Sequence, residues 1–435
     1  MQSTVRHRAL ALGLVALLAA ATGCGSDDPA EEASGSDQGP GDAPTDPVTI
    51  TFSSWVGNED GMQRLYQRFQ EEHPNITVEF QDVPAEQARQ KLTTQIAGGN
   101  PPDVAYVDAS DVITFAGRQA LVNLDDYIAG SESIEADDYV EAFEDFVTYD
   151  GSLYGLPFDG ESTGLFYRTD LFEEAGIEEP PATWDEFIQT VQALTMPDEQ
   201  QYGFQIFAPE AAYYWYPWLW QAGGELLSED EQSVEFNSDA GKEAAEFYAS
   251  LTDVSAPDHL NSNSYDGRVA FANGQVAMYM AGAWFAGVLD DEFPDIAGKW
   301  DTAPLPEGSA GCATTVAGDA LVIFGASEHV DAAWTWIEFL GRPENVAEWT
   351  YKTEGTLLPP YQSLLDSPEL AEEKPVLAGF AEAMTCGQGN IIANPDWPQA
   401  EEILTEQLGR AIYGEMSGAE AVDAAAAEAA SILGQ

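Results

Sequence analysis

Between residues 48 and 108 the hydrophobic period switches back and forth between two and about 3.6, and that alternation restricts the fold more than anything else in the chain. In "VTITFSSW" Val48, Ile50 and Phe52 share one face of a strand. Met62, Leu65, Tyr66 and Phe69 then recur at i, i+3, i+4 and i+7, the stripe of an amphipathic helix that His73-Pro74 stops. "NITVEF" returns to period two through Ile76, Val78 and Phe80. Residues 85–97 read as a second helix, ended by "GGNPP", and "DVAYVD" as a third strand. This β-α-β-α-β order predicts right-handed crossovers and a mostly parallel sheet. Ligands of such sheets sit beyond the carboxyl ends of the strands, here Ser53-Ser54-Trp55 and Asp108. A carboxylate there can accept hydrogen bonds from hydroxyls or cap the turn that follows, and the sequence leaves both roles open.

Strands and helices keep alternating farther on. Within "YGLPFDGESTGLFYRTDLFEEAGI" Leu165, Phe166 and Tyr167 form a strand, and Asp170 starts a short helix. Thr183 and Glu186 have capping-box spacing ahead of a helix whose Trp184, Phe187, Ile188, Val191 and Leu194 share a face. "DGRVAFANGQVAMYMAGAW" gives a helix, a stop at Gly274, a strand over 276–280 and a glycine turn before Trp284. "SGAEAVDAAAAEAASIL" is an Ala-rich terminal helix. A chain of 435 residues is long enough for two domains of this class.

Composition narrows what such a fold can meet. Against 76 Asp and Glu there are 15 Lys and Arg, a net charge of −61, which repels phosphate backbones and anionic lipid and argues against nucleic acid as a partner. Four His and three Cys leave little for a soft-metal site, so no metal and no cofactor are expected. At the N-terminus Arg6 and Arg8 precede an unbroken run of 13 apolar or glycine residues, Ala9 to Ala21. That run is short for a bilayer span and suits a secretory signal. "ATGC" at 21–24 resembles a bacterial lipoprotein signal, in which the cysteine, here Cys24, is lipidated and becomes the mature N-terminus. Ala21 stands where that motif has Leu, and an ordinary signal peptide is the alternative. The expected organisation is a signal over 1–23, then Cys24 and an acidic tether to residue 47, too poor in apolar residues to fold. Cys312 and Cys386 remain. In an exported protein they read as a disulfide, with two buried thiols as the other possibility.

One stretch stands apart. In "YYWYPWLWQAGG", Tyr213 to Gly224, six of the first eight residues are aromatic. They suit a core, an interface, or a platform for a ligand with flat apolar faces. A helix beginning at Pro217 would turn Trp218 or Trp220 inward and leave about two of the six rings for a ligand.

Five stretches in order carry a family resemblance. They are "FSSWVGNEDGMQRLYQRFQEEHPNITVEF"; "LPFDGESTGLFYRTDLFEEAGI" with "PPATWDEF"; "WLWQAGGELL" with "FNSDAGKEAAEF"; "GRVAFANGQVAMYMAGAW"; and "APLPEGSAGCATTVAGDALVIF" with the Trp334/Trp336 helix. Together they span nearly all of 48–435 and resemble the extracellular solute-binding proteins of ABC importers, family 1, the sugar-binding group that includes maltose-binding proteins. The resemblance implies an α/β, two-lobe, periplasmic-binding-protein-like (type II) fold with an interlobe ligand cleft and several hinge crossings, and no catalysis. Crossings are expected near Pro157–Glu161, Thr302–Leu305 and Thr353–Pro359. They assign 48–157 plus 304–352 to lobe one and 158–303 plus 353–435 to lobe two.

The same resemblance implies site residues. Lobe one would offer Trp55, Asn58 and Glu59 from the first strand–helix turn, then Asp108 and Ser110 as hydroxyl acceptors. Alignment on Gly223-Gly224 puts Tyr213 and Tyr216 in the cleft, with Trp215 as a third. Trp284 matches a stacking tryptophan and Trp397 a further cleft aromatic. Glu161 matches a sugar-binding acid or makes a hinge salt bridge; Gly318 brings backbone to the ligand, and Asp319 can bond a hydroxyl. Implied partners are an ABC permease with its cytosolic ATPase, and the outer face of the cell membrane through the lipid anchor, for a monomer. No site stretch holds a basic clasp, so a neutral mono- or oligosaccharide is expected, or a cationic solute. Two rivals follow: a secreted glycoside hydrolase, which needs two carboxyls roughly 5–10 Å apart, and a polyamine receptor.

Overall fold

The period-two runs become strands and the 3.6-period runs helices. A computed structural model describes residues 44–228, 233–255, 267–352, 355–389, 392, 394 and 396–433. The signal, Cys24 and the tether as far as residue 43 lie outside the described residues, as do Thr353 and Glu354 of the third expected crossing. The strands are β1 Val48–Ser54, β2 Ile76–Asp82, β3 Val104–Asp108, the hairpin β4 Thr148–Tyr149 and β5 Ser152–Leu153, β6 Leu156–Arg168, β7 Tyr202–Phe204, β8 Val276–Gly282, β9 Trp300–Ala303, β10 Thr314–Ile323 and β11 Gly387–Gly389.

β1 pairs in parallel with β2 and β3, as the opening alternation predicts. Beyond β3 the sheet is not mostly parallel. β10 is antiparallel to β3 and β6, and β6 is antiparallel to β8 and β9. The order β2-β1-β3-β10-β6-β8-β7 therefore joins a parallel block to an antiparallel middle. The cause is β6, which serves two neighbourhoods in one continuous run. Leu156–Ser162 pair with β10, whereas Thr163–Tyr167 pair with β8. A strand shared in this way couples the two halves without a flexible linker.

Each half has its own core. In the first, Met62, Leu65 and Phe69 of the helix Asp60–Glu72 are buried with Ile50, Phe52 and Trp336. Phe69 meets Trp336 edge-on at 4.8 Å between centroids, which adds about 0.5–1.5 kcal/mol to the roughly 1.5–3 kcal/mol from burying its ring. In the second, Phe187, Val191, Trp215, Trp218 and Leu404 pack together.

Two local expectations are modified. At the helix Trp184–Leu194 the Thr183 side chain accepts from Glu186 N, but Glu186 Oε2 accepts from Ala182 N at 2.9 Å, so the return arm of the capping box lands one residue early. The aromatic run forms a single helix, Ala211–Gln221, with Pro217 inside it rather than at its start. Pro217 has no N–H to offer the Tyr213 carbonyl. Packing carries the helix across that gap, since Trp215, Tyr216, Trp218, Leu219 and Trp220 are all buried. Cys312 and Cys386 form a disulfide with Cα atoms 6.0 Å apart, beside the parallel pairing of β10 with β11.

Candidate functional site

β3 ends at Asp108, and the helix Ala109–Gly117 follows at once. Asp108 Oδ1 accepts from Ser110 N at 2.8 Å, so the cap is real, while both residues also line a cleft. Opposite them, β6 carries Glu161 to the same space. Glu161 Oε1 accepts from the Tyr213 hydroxyl at 3.3 Å, and Oε2 is buried with no hydrogen-bond partner. Burial pushes the Glu161 carboxyl up to about 8; Tyr213 opposes this, and Asp108, Asp159 and Glu210 add to it. Gly282, at the end of β8, lets the carboxyl lie flat on the strand: a Cβ there would stand 1.8 Å from Glu161 Oε2 and 2.7 Å from Trp284 Cδ1.

The cleft has a volume of about 830 Å³. Tyr213, Tyr214, Trp284 and Trp397 give it ring surface, and Asp108, Glu161, Glu210, Glu401 and Glu402 give it carboxyls. Arg89 reaches in from the helix Ala85–Ala97, with Nη2 2.6 Å from Ser110 Oγ and Nε paired to Asp111. Among the described residues no group of three His, Cys, Asp or Glu is disposed to hold a metal.

Of the residues singled out in the sequence, Asp108, Ser110, Glu161, Tyr213, Trp284, Gly318 and Trp397 come together around this cleft. Trp215 does not reach it: the helix turns its ring fully into the core. Tyr216 is also fully buried, and its hydroxyl donates to the cleft residue Glu401 from behind at 2.6 Å. Trp55 packs edge-on against Tyr106 at 4.7 Å instead of lining the cleft, and Asn58 is exposed nearby. Glu59 precedes its helix without a side-chain cap; surrounding protein, then Asp159 and Asp291, push its carboxyl up to about 7.

Asp319 lies beneath the cleft in a polar cluster. In sheet register it faces Asp108 on β3 and Asp159 on β6. The Tyr106 hydroxyl lies 2.7 Å from Asp319 Oδ2 and 2.9 Å from Asp159 Oδ2. One hydroxyl carries one hydrogen, so the second contact needs a carboxyl proton. Burial raises both acids, Asp159 to about 6, and Trp349 Nε1 donates to Asp159.

Sequence reasoning missed Tyr214, Arg89, Glu210, Glu401, Glu402 and Thr405. Trp397, Glu401 and Thr405 stand at i, i+4 and i+8 of the helix Trp397–Ile412, so that helix's period would have found two of them from Trp397 alone.

The sequence profile described as bacterial extracellular solute-binding protein matches residues 55–347. The chain belongs to that family. It is thus an exported binding protein, not an enzyme. A lactose-binding protein of Rhizobium radiobacter is 28% identical over 307 residues, 67% of this chain and 69% of that one. Among solved structures, an ABC transporter solute-binding protein of Thermotoga lettingae bound with alpha-D-tagatose superimposes with a TM-score of 0.80 at 27% identity, covering 89% of this chain and all of that one (100%). The sugar-binding protein of Xanthomonas citri gives 0.77 at 27% identity, covering 89% and 98%. The solute-binding fold is two-lobed, and the cleft lies where β6 and β10 pass between the lobes' cores.

Proposed function

We propose that this protein is the substrate receptor of an ABC importer, taking a saccharide into the cleft and presenting it to a membrane permease by lobe closure. The observation that carries this is the pairing of ring faces (Tyr213, Trp284) with hydroxyl acceptors (Asp108, Glu161) around one cleft fed by both halves. A pyranose has apolar C–H faces and polar edges and needs both. Lobe one comprises 48–157 and 304–352, and lobe two 158–303 and 353–435. Each lobe alone offers half the contacts, so bound ligand favours the closed form by its differential affinity. Lipidated Cys24 tethers the monomer to the outer face of the membrane, where the permease and its cytosolic ATPase complete the importer. The sugar ligands of the Rhizobium radiobacter and Thermotoga lettingae proteins support the ligand class.

The test is thermal shift and calorimetry against a saccharide panel, with disaccharide turnover assayed in parallel. Binding without turnover is expected, and Trp284→Ala should abolish it while circular dichroism stays unchanged. Retention of affinity within a few-fold in that variant would place the ligand elsewhere.

A further inference from the structure

The cleft is as acidic as the chain at large, and its carboxyls differ in their settings. Five carboxyl side chains line it against one guanidinium, that of Arg89. Arg89 is already committed, to Asp111 by an ion pair and to Ser110 Oγ by a hydrogen bond. Asp108, Glu210 and Glu402 are exposed, whereas Glu161 and Glu401 are partly buried. The surrounding protein is the leading cause raising Glu161 and Glu401. Glu401 receives the Tyr216 hydroxyl at 2.6 Å. Glu161 has only a long contact from Tyr213 on one oxygen and nothing on the other. Leaving such an acceptor unmade is costly unless a ligand completes it.

The surroundings of that oxygen indicate what completes it. Through the gap left by Gly282 it adjoins the Trp284 ring, and Asp108 is close enough to repel it. A centre flanked by carboxylates and an aromatic ring suits a cation better than a hydroxyl dipole, because charge pairing and cation–π attraction act together where water is scarce.

We propose that the saccharide selected here carries a primary amine, held as its ammonium by the Glu161 carboxylate beside Trp284, with Asp108 on the facing wall. The inference rests on the saccharide-receptor reading and narrows it. Binding then has a protonic signature. In the free protein Glu161 is held up to about 8; an ammonium ligand pulls it back down, so a proton leaves to the buffer at pH 7. A neutral sugar produces no such release from Glu161.

The experiment is calorimetry at pH 7 with isosteric pairs differing only in amine against hydroxyl: glucosamine and glucose, galactosamine and galactose, the β-1,4 glucosamine disaccharide and cellobiose. Each pair is run in two buffers of different ionisation enthalpy. At least one amine should bind tenfold or more tighter than its hydroxyl partner and release a proton, and both differences should collapse in Glu161→Gln. If every amine binds no tighter than its partner, or binds without proton release, the inference fails while the receptor reading stands. If no saccharide of these pairs or of the wider panel binds, both fail together.

Discussion

At the scale of single residues the site turns on Glu161, and Gly282 is what lets Glu161 lie where it does. Any side chain at position 282 would enter the space of Glu161 Oε2 and the Trp284 ring edge together. Gly282→Ala should therefore swing the carboxyl away and lower saccharide affinity about tenfold or more, which is 1.4 kcal/mol or more, with the fold preserved. Calorimetry measures the loss. Combining Gly282→Ala with Glu161→Gln should add little to either single loss, because both act on one contact. Full additivity would mean that Gly282 touches ligand directly and Glu161 does not depend on it.

At the scale of elements, legibility followed how local the signal was. The strands over 48–54, 76–82 and 104–108 and the helices between them stood in the sequence because one buried face imposes one period. The antiparallel middle did not, since nothing within Leu156–Arg168 states that one strand changes partners after Ser162. The helix Ala211–Gln221 was misread at its start because Pro217 is a breaker by local rules, and burial of four neighbouring rings overrode it. That shift of start turned Tyr214 into the cleft and Tyr216 away from it. Asp319, expected to bond a ligand hydroxyl, stands in register with Asp108 and Asp159 and bonds Tyr106 beneath the cleft, a depth no sequence pattern encodes. The Cys312–Cys386 disulfide closes 74 residues of sequence where β11 adds to β10. Replacing both with Ser should lower unfolding free energy by about 2–4 kcal/mol in urea titrations, and affinity should hold because neither residue lines the cleft. An unchanged midpoint would show that strand pairing alone holds this corner.

For the whole molecule, the net charge of −61 and the buried carboxyls make the same prediction by separable routes. Burial raises Asp159 to about 6, Asp111 to about 7 and Glu161 to about 8, all above their ordinary range near 4. The folded chain therefore binds protons that the unfolded chain has already released, and stability falls as pH rises from about 4 to about 8. Below that window both states are protonated and the effect vanishes. Surface repulsion also grows as acids ionise, but it is screened: at 1 M salt the Debye length is about 3 Å. The thermal midpoint should accordingly be higher at pH 5 than at pH 8. Part of that difference should survive in 1 M salt, and the surviving part should shrink in Asp159→Asn, which removes one of the raised carboxyls. A pH slope erased by salt would assign the whole effect to the surface and leave the Tyr106 cluster without a bound proton.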